Sequence, residues 1–265
     1  VRTHVTELGP DGERRHEDRL ATEEPLEIRL AWPGVAAHRV WVTMRTPGHD
    51  FELAAGWLTH EGLADPGDIS TVAYCTDATL TPEQEFNVVT VTLAGRPRSD
   101  VGHRHASAAT GSSACGVCGK DSVGAVLDVV RGRRWQGPAP DAGVVRRLPE
   151  ALSGQQTVFA RTGGVHAAGL FTASGRALSV REDVGRHNAV DKVTGARVLA
   201  GQPPEEAFLV VSGRAGFELV QKAVAAGVGA LVAVGAPTSL SVQLAREAGL
   251  ALFGFTSSDR CVRYA

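Results

Sequence analysis

Phe208-Leu-Val-Val211, Ala230-Leu-Val-Ala-Val234 and Leu250-Ala-Leu-Phe-Gly-Phe255 are three short apolar runs. The stretches between them, residues 216–226 and 238–248, repeat apolar side chains at helical spacing. Short apolar runs bounded by Gly, Pro and Ser read as buried strands. The order β-α-β-α-β therefore predicts right-handed crossovers and a parallel sheet. In such a sheet the loops that leave the C-terminal strand ends share one edge, the usual place for a ligand. Here those loops are residues 212–215, 235–239 and 256–260. Two of them open helices, so free backbone N–H groups face the edge. Arg214 and Arg260 add two guanidinium forks, and Thr238 stands at a helix start. The loops make either an anion site or simple turns with Thr238 as a cap. Neither a Walker loop nor G-x-G-x-x-G is present.

Upstream, residues 165–171 and 177–180 flank Ser174-Gly175 and read as a hairpin. Asp183 can cap a helix whose Ala189, Val193, Ala196 and Ala200 share a face. Arg181, Glu182, Asp183, Arg186, His187, Asn188, Asp191 and Lys192 crowd into residues 181–192. Such a cluster is either a solvated helix face or a buried polar network beside a site. Further upstream Leu26, Ile28 and Leu30 alternate, Trp32-Pro33-Gly34 turns, and Val40, Val42 and Met44 alternate again. Asp50 then caps a helix over residues 51–59, and strands follow at 71–75 and 86–93. The expected organisation is a frayed leader over 1–20, a smaller N-terminal α+β domain over 21–94, a mobile linker over 95–114 and a C-terminal α/β domain over 115–265. Within the last, Val123, Val126, Leu127 and Val130 mark a helix after Asp121 or Ser122.

The 265 residues are 43% apolar and 21% charged, with a formal net charge of −2. That chain can bury a core without staples. No basic excess is available for counterion release from nucleic acid or for an anionic membrane. No apolar run reaches the length of a membrane span, and the polar N-terminal stretch has no signal-peptide core. Four cysteines, two of them as C-x-x-C, suit a reducing cytoplasm.

Cys115-Gly-Val-Cys118 lies just before the helix start near Asp121, with Lys120 beside it. A helix N-terminus and an ammonium both favour the thiolate. Three chemistries share this spacing. A redox pair is one, although residues 108–114 do not read as the buried strand that precedes thioredoxin-like pairs. Zinc is the second, because His103 and His105 complete a four-ligand set with the cysteines. A sulfur relay is the third, with a nucleophilic thiolate carrying a persulfide. An inert buried pair is also compatible. A zinc deaminase needs H-x-E followed by P-C-x-x-C. Here no such Glu exists and Ala114 precedes Cys115, which disfavours that reaction but not a related fold. Cys75 and Cys261 read as packing residues.

Taken in order, Cys115-Gly-Val-Cys118-Gly-Lys-Asp121, Arg161-Thr-Gly-Gly-Val-His-Ala-Ala168, Arg181-Glu-Asp-Val-Gly-Arg-His-Asn-Ala-Val-Asp-Lys192, Ser212-Gly-Arg-Ala-Gly216 and Gly235-Ala-Pro-Thr-Ser239 resemble the formate dehydrogenase accessory sulfurtransferase family, FdhD. Ala55-Gly-Trp-Leu-Thr-His-Glu-Gly62 fits the amino-terminal half of that family. The resemblance implies a cytoplasmic homodimer that takes sulfur from a cysteine desulfurase. It passes the sulfur to the bis(molybdopterin guanine dinucleotide) molybdenum cofactor, bound as substrate, before insertion into formate dehydrogenase. It also implies a three-layer C-terminal domain similar to the cytidine deaminase fold. On matching positions, Cys115 carries the persulfide, Cys118 is the assisting thiol, and no metal is resident. The cofactor-binding stretch maps onto Phe255, Thr256, Ser257, Ser258, Asp259 and Arg260, with Arg214 and Thr238 as neighbours. Family members often carry a Gly-rich loop and an aromatic-Asn-x-Tyr tail there. This chain has Ser257-Ser258-Asp259 and Arg260-Cys-Val-Arg-Tyr264, and Asp259 repels phosphate. The roles of His103, His105 and His187 stay open. The competing reading is a non-catalytic, zinc-stabilised nucleotide-binding chaperone for the same client.

Overall fold

The computed structural model describes residues 1–76, 81, 84–99, 135–201 and 206–265. Its larger sheet has six strands in the order β12-β11-β10-β9-β7-β8. Strands β9 (Phe208–Val211), β10 (Ala230–Ala233) and β11 (Ala251–Gly254) are parallel, as the apolar runs require. Helices α5 (Phe217–Ala226) and α6 (Ser239–Ala248) cross over on one face, because the strands are laid down side by side in sequence order. Leu219, Val220, Leu244 and Ala245 pack there on Leu209, Val211, Leu231 and Leu252, together with Ala189, Val190 and Val193 of α4 (Arg186–Leu199). Strand β7 (His166–Phe171) runs antiparallel to β9, and β8 (Ala177–Asp183) antiparallel to β7. Strand β8 therefore points the same way as β9, and β12 (Val262–Arg263) closes the far side against β11.

The other face is covered by α2 (Ala142–Ser153), whose Val145, Leu148 and Leu152 meet Phe171, Phe208, Val210 and Val232. Asp141 caps it by accepting from Val144 N–H. The sequence reading missed this helix because Pro149 lies inside it, and Pro normally ends a helical pattern. Sheet, α4–α6 and α2 form three layers. Helix α4 starts at Gly185 rather than at an Asp183 cap; the Asp183 carboxylate instead accepts from Gly185 N–H and, across the molecule, from Thr46 N–H.

The N-terminal sheet has the order β4-β3-β6-β5. It is built from β3 (Glu24–Trp32), β4 (Val35–Arg45), β5 (Ile69–Tyr74) and β6 (Val88–Leu93), with α1 (Asp50–His60) laid across one face. Leu26, Ile28, Leu30, Val89, Val91 and Leu93 are buried under Leu53, Trp57 and Leu58. Each large side chain so buried contributes about 1.5–3 kcal/mol. Asp50 does not cap α1. His49, at φ 58°, precedes the helix, while Arg45 grips the buried Asp50 carboxylate at 3.0 and 2.9 Å. Tyr74 donates its hydroxyl to the same group.

Residues 1–20 are not a frayed leader. Strands β1 (Arg2–Gly9) and β2 (Gly12–Arg19) pair antiparallel around a turn at Gly12, whose φ of 113° suits glycine. Arg2 pairs with Glu17, and Arg14 with Glu7. The charge density that suggested disorder is cross-strand pairing.

Helix α1 joins the two halves. It packs the N-terminal sheet with one face and α4 with the other, at very close range. A Cβ added to Gly56 would stand 1.9 Å from the Asp191 carbonyl oxygen, and one on Gly195 would stand 1.7 Å from that of Glu52. Only glycine fits at either crossing point.

Candidate functional site

Because β8, β9, β10 and β11 point the same way and β7 opposes them, five chain segments meet at one sheet edge. The three loops expected there are present. Gly235 N–H donates to Gly213 C=O, and Phe255 N–H to Gly235 C=O, which laces the loops into one rim. A Cβ on Gly235 would lie 2.9 Å from Arg214 Cγ, so glycine lets Arg214 lie across the neighbouring loop. Phe255 holds a left-handed φ of 48° while 45% exposed. An aromatic residue in that region is strained, and such strain gathers at ligand sites. The Arg260 guanidinium lies 5.4 Å from its ring centroid. Thr256 is buried, and its hydroxyl has no partner among the described residues. Ser257, Ser258, Asp259 and Arg260 complete the loop, closed by Ser257 N–H on Arg260 C=O. Thr238 also stands on this rim, but its hydroxyl and amide close a capping box with Ser241. That cap leaves α6 a poorer anion donor than its position alone suggests.

The rim also holds residues that the loop reading did not place there. His166 begins β7 with its Nδ1 against Gly213, where a Cβ would stand 3.6 Å away. Arg186 and His187 open α4, and His187 Nε2 meets Glu218 of α5 at 2.8 Å. Burial, then Arg186 and His187, push the His166 pKa below its ordinary value. The crowded motifs at 161–168 and 181–192 flank a hairpin, and it is the antiparallel pairing of β7 with β9, seen only in the structure, that brings its open end to this edge.

Most of the polar cluster at 181–192 is structural. Arg181 forks onto Glu52 at 2.6 and 2.7 Å; against the opposing effect of burial, Arg181 and His49 hold the Glu52 pKa at about 2. Glu182 accepts from Val158 and Phe159 N–H, fixing the turn α3 (Phe159–Thr162) that leads into β7. Lys192 meets Asp183 at 2.7 Å and donates to Thr46 C=O. Asn188 donates to Met44 C=O. The cluster is thus a buried network tying the two halves together, with Arg186 and His187 left at the rim.

Below the rim, His60 Nδ1 meets Asp191 at 2.5 Å and Lys222 meets it at 2.7 Å, all three buried. Burial lowers the His60 pKa more than Asp191 raises it; Lys222 and Arg197 lower it further. Asp191 is lowered too, because Lys222 and His60 outweigh the burial that would raise it. The unfolded chain therefore takes up the His60 proton first, below about pH 6.5. Unfolding free energy should fall by up to about 1.4 kcal/mol per pH unit from there toward the depressed folded value. Urea titrations between pH 7.5 and 5 should show this slope, and His60→Gln should flatten it. An unchanged slope would mean that His60 is already charged in the fold.

Cys115, Cys118, Lys120, His103 and His105 lie outside the described residues. Among the described residues, no group of three His, Cys, Asp or Glu could hold a metal ion. Cys261 packs against the core beneath α2, and Cys75 accepts from Arg29 at 3.7 Å. No described helix is long and apolar enough to cross a membrane.

Residues 21–265 match the profile of the FdhD/NarQ family. The chain belongs to that family. It is 47% identical over 262 residues to the sulfur carrier protein FdhD of Nocardia farcinica, covering 98% of this chain and 90% of the relative. It is 48% identical over 257 residues to the sulfur carrier protein FdhD of Streptomyces coelicolor, covering 94% and 87%. A crystal structure of a candidate formate dehydrogenase accessory protein of Desulfotalea psychrophila superposes with a TM-score of 0.71. It covers 100% of this chain and 96% of that one at 21% identity, a likeness of fold.

Proposed function

We propose that the chain is a sulfur carrier of the cytoplasm that serves formate dehydrogenase. Cys115 thiolate attacks the outer sulfur of a desulfurase persulfide, forming a new S–S bond and releasing the desulfurase thiolate. Cys118 thiolate then assists release by attacking the inner sulfur of the Cys115 persulfide, so that its S–S bond breaks, the outer sulfur leaves as hydrosulfide and the two cysteines are left as a disulfide for a thiol reductant to reopen. The acceptor is the bis(molybdopterin guanine dinucleotide) molybdenum cofactor, bound as substrate along the sheet edge. In this reading two copies act together, and the C-terminal half is a deaminase-like fold without the deaminase Glu. The observation that carries the acceptor half is the third loop. A strained, exposed Phe255 with the Arg260 guanidinium near its ring, beside a buried Thr256 hydroxyl that has no partner among the described residues, supports seating a purine base and its phosphates there. The sulfur half rests on the name carried by the relatives and on the C-x-x-C chemistry.

Guanosine diphosphate carries the head of that cofactor and should bind as a fragment. A charge-assisted contact contributes about 1.5–3 kcal/mol. Arg260→Ala should therefore weaken binding by roughly tenfold or more. Asp259→Gly removes a repelling carboxylate and should tighten it. Calorimetry with guanosine and adenosine diphosphates decides the matter: equal affinity for the two bases, or no loss in Arg260→Ala, would place the acceptor elsewhere.

A further inference from the structure

Strands β1 and β2 form a two-stranded sheet of their own, outside the described cores, and touch the rest of the chain where β2 meets α3. They precede residue 21, where the match to the family profile begins. A lone two-stranded ribbon is marginal in water. Val1 and Leu20 exchange both backbone hydrogen bonds. Bonded pairs alternate along an antiparallel ladder, so residues 14, 16 and 18 of β2 likewise turn their backbone groups toward β1. Glu13, Arg15, Glu17 and Arg19 turn theirs outward. The Arg19 N–H is met by the Asp18 carboxylate, while those of Glu13, Arg15 and Glu17 have no partner among the described residues. Such an edge is a template for another strand, and charges on it ordinarily discourage pairing.

The order of the charges here favours pairing in one register. Glu13-Arg-Arg-His-Glu-Asp-Arg19 is antisymmetric about His16: every charge has its opposite at the same distance on the other side. Two copies of β2 laid antiparallel about a two-fold axis at His16 therefore set Glu13 opposite Arg19 of the second copy, Arg14 opposite its Asp18 and Arg15 opposite its Glu17. The symmetry makes each of these pairs twice. The backbone agrees, because His16 faces away from the edge and falls at a non-hydrogen-bonded position, while Arg15–Glu17 and Glu13–Arg19 are the outward pairs that bond. Moving the axis to any other residue from 13 to 19 sets a charged side chain against its own copy. Arg14 and Glu17 are already held by Glu7 and Arg2 of β1 at 3.0 and 3.1 Å, so the ionic ladder would run on through all four strands.

We propose that β2 is a self-recognition strand, whose free edge pairs with β2 of a second copy of this chain, antiparallel and centred on His16. The product is one sheet, β1-β2-β2-β1, spanning two copies. The proposal rests on the proposed function only in the clause that two copies act together, and it says where they join.

The test is sedimentation of the full chain, of Glu13→Arg, of Arg19→Glu and of the chain carrying both. Like charges directly opposite each other destabilise a strand pair, and each single reversal creates two such contacts. Either single variant should therefore weaken the dimer by roughly tenfold or more. The double variant restores both pairs and should return to within about threefold of the parent, which also shows that the reversed side chains leave the fold intact. His16→Cys checks the register. Facing residues at a non-hydrogen-bonded position lie about 4.5 Å apart, within reach of a disulfide. Diamide should join two chains through residue 16, seen by peptide mapping. Thr6→Cys, on β1 opposite Arg15 and so one strand removed from the second copy, should give no such link. A dimer that neither single variant weakens, or a His16→Cys chain that forms no link through residue 16, overturns the proposal and leaves two copies joined elsewhere. A parent chain that stays monomeric overturns both the proposal and the two-copy clause, while the sulfur relay is tested apart from either by its own mass gain.

Discussion

Gly195→Ala should destabilise the protein by about 3 kcal/mol or more, the upper end of what overpacking a tight interior costs. The added methyl would meet the Glu52 carbonyl, and backbone cannot turn aside as a side chain can. To make room, α1 and α4 must separate. Separation lengthens the buried His60–Asp191 pair that crosses between them. A buried charge that loses its partner is itself costly, at about 3–5 kcal/mol. Gly67→Ala is the control. Nothing stands within 4 Å of a Cβ there, so its effect should stay within about 0.5 kcal/mol. Urea unfolding of both variants gives the comparison, and equal midpoints would mean the two halves dock more loosely than this joint implies.

The same joint shows where the sequence was readable and where it was not. The three apolar runs at 208–211, 230–234 and 250–255 specified parallel strands because hydrophobic burial on both faces leaves a plain signal. The alternation at Leu26, Ile28 and Leu30 did the same for β3. Gly56 and Gly195 carried no such signal, since a glycine inside a helical pattern looks only like a weak helix position. Residues 1–20 misled because cross-strand ion pairs and a disordered tail have similar composition. Asp50 and Asp183 were read as caps from their local positions, but the partners that claim them come from other strands and loops. At the site, the loops at 212–215, 235–239 and 256–260 were found from topology alone. His166 and Arg186 were missed because placing them needs the direction of β7 relative to β9, a long-range pairing that no local pattern encodes.

The second large effect concerns the thiols. Cys115→Ala should abolish both the sulfur load and activation of formate dehydrogenase, because a persulfide requires a thiolate and no other group on the chain supplies that one. Cys118→Ala should retain partial activity if it only assists release. Neither substitution should alter guanosine diphosphate binding at the Phe255 platform, so the two halves of the account fail separately. Stoichiometric zinc that disappears with both cysteines would instead favour the chaperone reading.

The most direct measurement is mass spectrometry of the intact chain after incubation with a cysteine desulfurase and cysteine. The account predicts a gain of one sulfur atom, about 32 Da, that a thiol reductant removes and that peptide mapping assigns to Cys115. Cys115→Ala should show no gain. An unmodified parent chain, or the same gain in Cys115→Ala, would contradict the sulfur relay.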